Sequence, residues 1–166
     1  MHIERVANLW YTFTMNDDAS TFITIVDNSG RAKSQRIEYI ITDVQGETVY
    51  VTDGGLKYIH DLLWAKRHQR FLLDELDRLP DVISKADIVI WDSMANDDTM
   101  LYYKHLYIES QEQHWLVVAV VKIRQSIKFL YNFHLQESGK VKGYHLDVPP
   151  KIWYLNPQLR KRIFGL

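Results

Sequence analysis

Thr48-Val49-Tyr50-Val51-Thr52-Asp53-Gly54-Gly55 is the stretch on which the fold turns, because a short β-branched run passes there into a long helical pattern. Beyond it Leu56, Ile59, Leu63 and Arg67 recur at about 100° per residue, the period of a helix with one apolar stripe. Asp53 is the expected N-cap, its carboxylate accepting from orphan amides of the first turn. Gly54 and Gly55 are poor helix formers, which leaves the start open by a residue or two. His60, Trp64 and His68 follow at four-residue steps along the border of the stripe. A second helical run, Phe71 to Leu79, sets Leu72, Leu73, Leu76 and Leu79 against Asp74, Glu75 and Asp77, and Pro80 is expected to end it.

C-terminal to this block the period changes to two. Asp87 to Trp91 reads as a short strand, followed by a turn at Asn96-Asp97-Asp98. In Thr99 to Ile108, Leu101, Tyr103, His105 and Tyr107 alternate with Met100, Tyr102, Lys104 and Leu106. His114 to Ile123 holds the unbroken run Trp115-Leu116-Val117-Val118-Ala119-Val120-Val121, the mark of a central strand buried on both faces. In the last strand, Ile127 to Leu135, alternation places Lys128, Asn132 and His134 on one face and Phe129, Tyr131 and Phe133 on the other. N-terminal to the block, Thr21 to Val26 and Arg36 to Thr42 form a hairpin around Asp27-Asn28-Ser29-Gly30, and spacings of three and four before Asn16 indicate a short helix. In the tail, Pro149-Pro150 and Asn156-Pro157 argue against regular structure, while Trp153, Tyr154 and Phe164 predict that it docks on the body.

At 166 residues, 46% apolar and 13% aromatic, the chain has the size and composition of one folded domain with a real core. The absence of cysteine excludes disulfides and thiolate metal sites. No run approaches eighteen apolar residues, and Met1 to Phe13 lacks a signal-peptide pattern, so a cytoplasmic protein with no membrane contact is expected. The net charge of -1 hides a split. Residues 1 to 114 carry 11 Lys and Arg against 19 Asp and Glu, a net of -8, and residues 115 to 166 carry 9 against 2, a net of +7. A basic C-terminal third fits an anionic partner such as RNA, or it packs on the acidic part and cancels.

Seven histidines invite a metal site, but no His-Glu-x-x-His or comparable spacing occurs, so no metal and no cofactor is expected. The Asp53-Gly54-Gly55 turn is neither a P-loop nor a dinucleotide fingerprint, and there is no Gly-x-Ser-x-Gly elbow. Metal-independent acid/base chemistry is left. When a ribose 2′-hydroxyl attacks its own phosphate, one group must take a proton, another must give one, and cations must hold the phosphorane charge. Histidine, with an ordinary pKa of about 6.5, suits the first two tasks. His60 or His68 on the helix, His134, Lys128 and Asn132 on the last strand, and Lys122 beside it make such a cluster on paper; histidines on a helix border and alternating Lys and His on an edge strand are equally the marks of a wet surface.

These residues carry a resemblance. The order strand, histidine-bearing helix, Arg67-His68, Leu79-Pro80-Asp81-Val82-Ile83, Leu101-Tyr102-Tyr103-Lys104, Trp115 to Lys122 and Phe129 to Phe133 resembles the phage- and mobile-element-borne nuclease domains of the barnase, EndoU, colicin and RelE-like superfamily, over about Val49 to Gly143. The resemblance implies an α+β fold in which N-terminal helices pack on a four- to five-stranded antiparallel sheet, preceded by a β-hairpin. The expected division is a lead-in with the hairpin at 1–47, a nuclease-like domain at 48–143 and a basic docking tail at 144–166, all one compact unit. The resemblance also implies a metal-independent, toxin- or phage-effector-like RNase. The family's helix histidine would fall on His68 after Arg67, or on His60, and its cation on Lys122; with the cluster read from the residues, His60 or His68 and His134 would be the acid/base pair beside Lys122, and Arg67, Arg124, Lys128, Tyr131 and Asn132 would bind substrate. RNA and a cognate inhibitor or other protein would be partners. The family's Thr-x-Tyr-like pattern on the last strand reads Tyr131-Asn132-Phe133-His134 here, a departure that leaves two expectations open. Either His134 replaces the lost group, or the domain is a catalytically inert module binding protein or RNA through the acidic helix around Asp74, Glu75 and Asp77, or through Lys140, Lys142, Lys151, Arg160, Lys161 and Arg162.

Overall fold

The computed structural model describes residues 2–6, 9–13, 21–27, 29–91, 98–136 and 151–158, with side chains for all of these except 2–13 and 151–153. His2–Val6 (β1) and Leu9–Phe13 (β2) pair antiparallel as a small separate sheet, where the spacing of apolar residues predicts a helix. Phe22–Val26 (β3), Ala32–Thr42 (β4) and Thr48–Thr52 (β5) come next, then helix α1 (Asp53–Ala65), a 3₁₀ run at Arg67–Arg78 and helix α2 (Leu79–Ser84). Five strands complete the described order: Ile88–Trp91 (β6), Asp98–Ile108 (β7), Gln113–Arg124 (β8), Ile127–Leu135 (β9) and Lys151–Leu155 (β10).

Eight strands make one mixed sheet in the order β10-β6-β7-β8-β9-β5-β4-β3. The expected four- to five-stranded antiparallel sheet with helices ahead of it is therefore not what the chain forms. Two additions make the difference. β5 pairs parallel to β9 at Tyr50 and Phe129, which joins the hairpin strands to the meander. β10 pairs antiparallel to β6 despite the flanking prolines, with a bulge between Ile152 and Tyr154. The helices also follow five strands instead of leading them. Both pairings join segments far apart in sequence, so no local period announces them.

The central strand is buried on both faces. Val117, Ala119 and Val121 of β8 join the core beneath the helices with Ile59, Leu63, Leu72, Tyr102 and Phe133. Leu116 and Val118 join a second cluster on the other face with Ile88, Ile90, Leu101 and Tyr103. The unbroken apolar run of β8 follows from this, since both of its faces pack against apolar side chains.

Three local features depart from expectation. The N-cap of α1 is Thr52, whose Oγ1 accepts the Gly55 N–H at 3.0 Å. Asp53 instead accepts from Arg36 N–H at 3.1 Å and Gly54 N–H at 2.7 Å, tying the helix start to β4. Pro80 opens α2 instead of ending the run before it, because a first-turn position needs no N–H donor. The Phe71 to Leu79 segment lies mostly in a 3₁₀ run of 12 residues, well beyond the usual length of such runs. Buried Gln69 anchors it: its Oε1 accepts the Leu135 N–H at 3.0 Å. Among the described residues no strand lies against the outer edge of β9 past Phe129, and α1 and this run pack along that edge.

Candidate functional site

The site forms where β5 leaves the sheet and becomes α1. Gly55 sits so close to β9 that a Cβ there would lie 2.9 Å from the Leu130 carbonyl oxygen. Glycine at that position is what lets helix and strand meet. The Gly55 N–H donates to Thr52 Oγ1, and the Thr52 hydroxyl donates in turn to Gln35 Oε1 on β4. This relay fixes the orientation of the Gln35 amide. With its oxygen taken in this way, the Gln35 side chain lines the cleft between α1, β4 and the ends of β8 and β9.

The register of β9 shifts on the far wall. Asn132 pairs with Val120 and Leu130 with Val121, so Tyr131 is the extra residue of a bulge. Bulges bend a strand and re-aim side chains. Tyr131 swings beside Tyr58 of α1, with ring centroids 5.1 Å apart and hydroxyls 3.3 Å apart. The Tyr58 phenol is pushed up from its ordinary pKa, first by the Tyr131 hydroxyl and then by burial, against the pull of Lys122 and Lys66. Lys122 Nζ lies 3.8 Å above the Tyr131 ring, a cation–π contact. Arg124 on the same face of β8 donates through Nη1 to the Val26 carbonyl at 3.1 Å, holding the β3–β4 hairpin over the strand end.

Together these elements enclose a cleft of about 250 Å³, lined among others by Lys33, Gln35, Tyr58, Lys122, Arg124 and Tyr131. One carboxylate also lines it, that of Asp27. Asp27 Oδ1 is turned to its own loop, where it accepts from the Ser29 hydroxyl at 2.6 Å, the Ser29 N–H at 2.9 Å and the Arg31 N–H at 2.9 Å. The Ser29 hydroxyl first, and the Arg31 N–H next, hold its pKa below the usual carboxylate value. Among the described residues, three cationic side chains and one carboxylate line this cleft. It can hold an anion, and it places two tyrosines beside that anion.

Of the residues picked out from sequence, Lys122, Arg124 and Tyr131 come together here, and the others do not join them. The described lining of the cleft holds no histidine. His60 is exposed on α1, stacked on Trp64 with ring centroids 6.4 Å apart and 3.7 Å from Asp61. His68 is exposed in the 3₁₀ run, its Nε2 3.4 Å from Gln69 Nε2, and Arg67 opens that run, also exposed. His134 Nδ1 lies 2.8 Å from the Leu135 carbonyl, and Asn132 Oδ1 accepts the Phe133 N–H at 2.8 Å.

The expectation that Lys128, Asn132 and His134 share a face fails at the bulge. Phe133 and Leu135 point into the helix-covered core, so Asn132 and His134 face the other way. Lys128 is on the helix side, 2.6 Å from Glu47 and 3.9 Å from Asp43. By the same shift Phe133 is core while Phe129 lines the cleft. The Asn96-Asp97 turn, Lys140, Lys142, Arg160, Lys161, Arg162 and Phe164 lie outside the described residues, as do the side chains of Lys151 and Trp153.

Tyr58, Lys33 and Gln35 are the site residues that the sequence reading misses. One signal was available: two adjacent glycines in a helix start are costly unless something presses against them. Arg70 shows the opposite case, a cation already committed, since it lies 4.2 Å over the Trp64 ring and donates twice to the Trp64 carbonyl, at 3.0 and 2.6 Å. Among the described residues no helix is long and apolar enough to cross a membrane. Comparison with known proteins adds no relative, since no family model, curated protein or solved structure matches the chain.

Proposed function

We propose that the protein binds single-stranded RNA through this cleft, with Lys33, Lys122 and Arg124 on phosphate and the Tyr58 ring, 41% exposed, as a stacking surface for a base. The observation that carries the reading is the convergence of three cationic side chains and two tyrosines on one concave surface. Charge on the backbone and aromatic faces for the bases are the two terms that bind single strands without reading sequence. Cleavage needs more, namely a proton acceptor and a proton donor at the phosphate. The tyrosines supply a donor, and a phenol with a raised pKa is a poor acceptor near neutral pH. Binding without cleavage is the function this geometry supports best.

Fluorescence anisotropy with a labelled single-stranded RNA, repeated across salt concentrations, tests it. Affinity is expected to fall with salt, and Lys122→Ala or Arg124→Ala to lower the log–log slope by about 0.7 each. His60→Ala, His68→Ala and His134→Ala are expected to bind like the parent protein. In EDTA with total tRNA the RNA is expected to stay intact. Fragments ending in 2′,3′-cyclic phosphate, lost in the histidine variants, would restore the catalytic reading in place of this one.

A further inference from the structure

Beyond RNA binding, we infer that Tyr58 and Tyr131 are an oxidative modification site, at which a one-electron oxidant derived from hydrogen peroxide joins the two rings as dityrosine and pins α1 to β9. The hydroxyls lie 3.3 Å apart and the ring centroids 5.1 Å apart, so the rings converge at their oxygen-bearing ends. The carbons beside the phenol oxygen, where a phenoxyl radical forms its C–C bond, lie at those ends. Backbone geometry holds both rings in place. The bulge in β9 aims Tyr131, and Gly55 against the Leu130 carbonyl keeps α1 at the distance that brings Tyr58 to it. A pair positioned in this way reacts as one unit, without the encounter that two separate molecules need.

Tyr58, 41% exposed, is open to the oxidant, while Tyr131 is half-buried and carries Lys122 Nζ 3.8 Å above its ring, a charge that opposes electron loss there. Oxidation therefore starts at Tyr58. Its O–H bond breaks, the oxidant takes the electron and the proton goes to solvent. The Tyr58 radical then takes the hydrogen atom of the Tyr131 hydroxyl across the 3.3 Å contact, and a second oxidation of Tyr58 leaves two radicals side by side. A bond forms between one ring carbon beside each oxygen, and the hydrogen on each of those carbons leaves for its oxygen as the ring regains aromaticity. In sum the two tyrosines lose two hydrogen atoms and one hydrogen peroxide becomes two waters. The chain contains no cysteine, so no thiol of its own reduces the radical first. Tyr102 and Tyr103 are buried, and Tyr107, 45% exposed, packs its ring on His114 at 5.2 Å, so cross-links through Tyr107 are expected between molecules. The bond between Tyr58 and Tyr131 joins positions 73 apart in sequence and restricts the unfolded chain as a disulfide does.

Treating the purified full chain with one equivalent of hydrogen peroxide and a haem peroxidase tests this, read by dityrosine fluorescence and by mass spectrometry of proteolytic peptides. The expected product is a monomer lighter by two hydrogen atoms, with the Tyr58 and Tyr131 peptides joined, in a yield unchanged on dilution. Tyr58→Phe or Tyr131→Phe is expected to lower that yield about tenfold or more, and Tyr107→Phe to leave it as it is. The isolated cross-linked monomer is expected to melt roughly 5–15 °C above the untreated chain. Dityrosine that is absent, confined to dimers that fade on dilution, or mapped to other tyrosines would overturn the site. A cross-linked monomer that melts with the untreated chain would overturn the pinning of α1 to β9. None of these readouts depends on RNA, so a failure here is distinct from a failure of the binding reading.

Discussion

The Tyr102 hydroxyl on β7 donates to the buried Oδ2 of Asp43 at 2.6 Å, joining the β4–β5 turn to the middle of the sheet. Asp43 Oδ1 accepts from the Gln45 and Glu47 N–H groups at 2.9 and 2.8 Å, and Lys128 lies 3.9 Å from Oδ2. One carboxylate thus shapes the turn and anchors it. Tyr102→Phe leaves a buried acceptor short of a donor and is expected to cost about 1–3 kcal/mol in urea unfolding.

The same pair sets an alkaline limit. Burial first, and then Asp43, raise the Tyr102 pKa well above the ordinary tyrosine value, and burial pushes Tyr39 up to about 12. Folded pKa values above the unfolded value of about 10 mean that this stability is intact below pH 10 and drains away as the pH rises through 10 to 12. Unfolding free energy measured between pH 8 and 11 is expected to fall less steeply in Tyr102→Phe than in the parent.

At the acid end a partly buried sensitive group is Asp87. Burial, its largest influence, would raise its pKa, but the His105 side chain, the His105 N–H at 3.0 Å and nearby Lys104 together outweigh burial and leave it lowered. A lowered folded pKa contributes stability that is present above about pH 4 and is lost as the pH falls through the folded value. Asp87→Asn is expected to flatten that limb. A curve unchanged between pH 5 and 2 would show that these contacts do not form in solution.

Gly54 and Gly55 are expected to separate stability from binding. A Cβ at position 55 meets the Leu130 carbonyl at 2.9 Å and Thr52 Oγ1 at 3.1 Å, so Gly55→Ala is expected to destabilise by about 1–3 kcal/mol. The nearest atoms to a Cβ at 54 belong to the Gln35 amide, at 2.9 to 3.3 Å, and the strain of shifting that amide off Thr52 is set against about 1 kcal/mol of helix propensity that Ala gains over Gly. Gly54→Ala is therefore expected to keep near-parent stability and to weaken RNA binding by displacing the Gln35 amide.

Gln69 substitutes for a strand. Its Oε1 takes the Leu135 N–H where, among the described residues, no strand flanks the end of β9, so Gln69→Leu is expected to cost about 1–3 kcal/mol for one buried orphan donor. Hydrogen exchange at the Leu135 amide is expected to speed up more than exchange at Phe133 or Val117.

Much of the strand pattern was legible in the sequence, because alternation and apolar runs are recorded residue by residue in the chain. Thr48 to Thr52, Thr99 to Ile108 and Ile127 to Leu135 all form strands close to where their period puts them. The continuous run from Trp115 to Val121 does mark a strand buried on both faces. Lys122, Arg124 and Tyr131 could be named as binding candidates from charge and position alone, yet nothing in the sequence said that they and not the histidines would share a surface.

Tertiary structure decided the rest. A strand's period reports its two faces but not its neighbours, so the parallel pairing of β5 with β9 and the docking of β10 on β6 were out of reach of local reading. The one-residue bulge at Tyr131 shows the cost most clearly. A period of two carries side chains to one face only while the register holds, and a single extra residue sent Lys128 to one side of the sheet and His134 to the other.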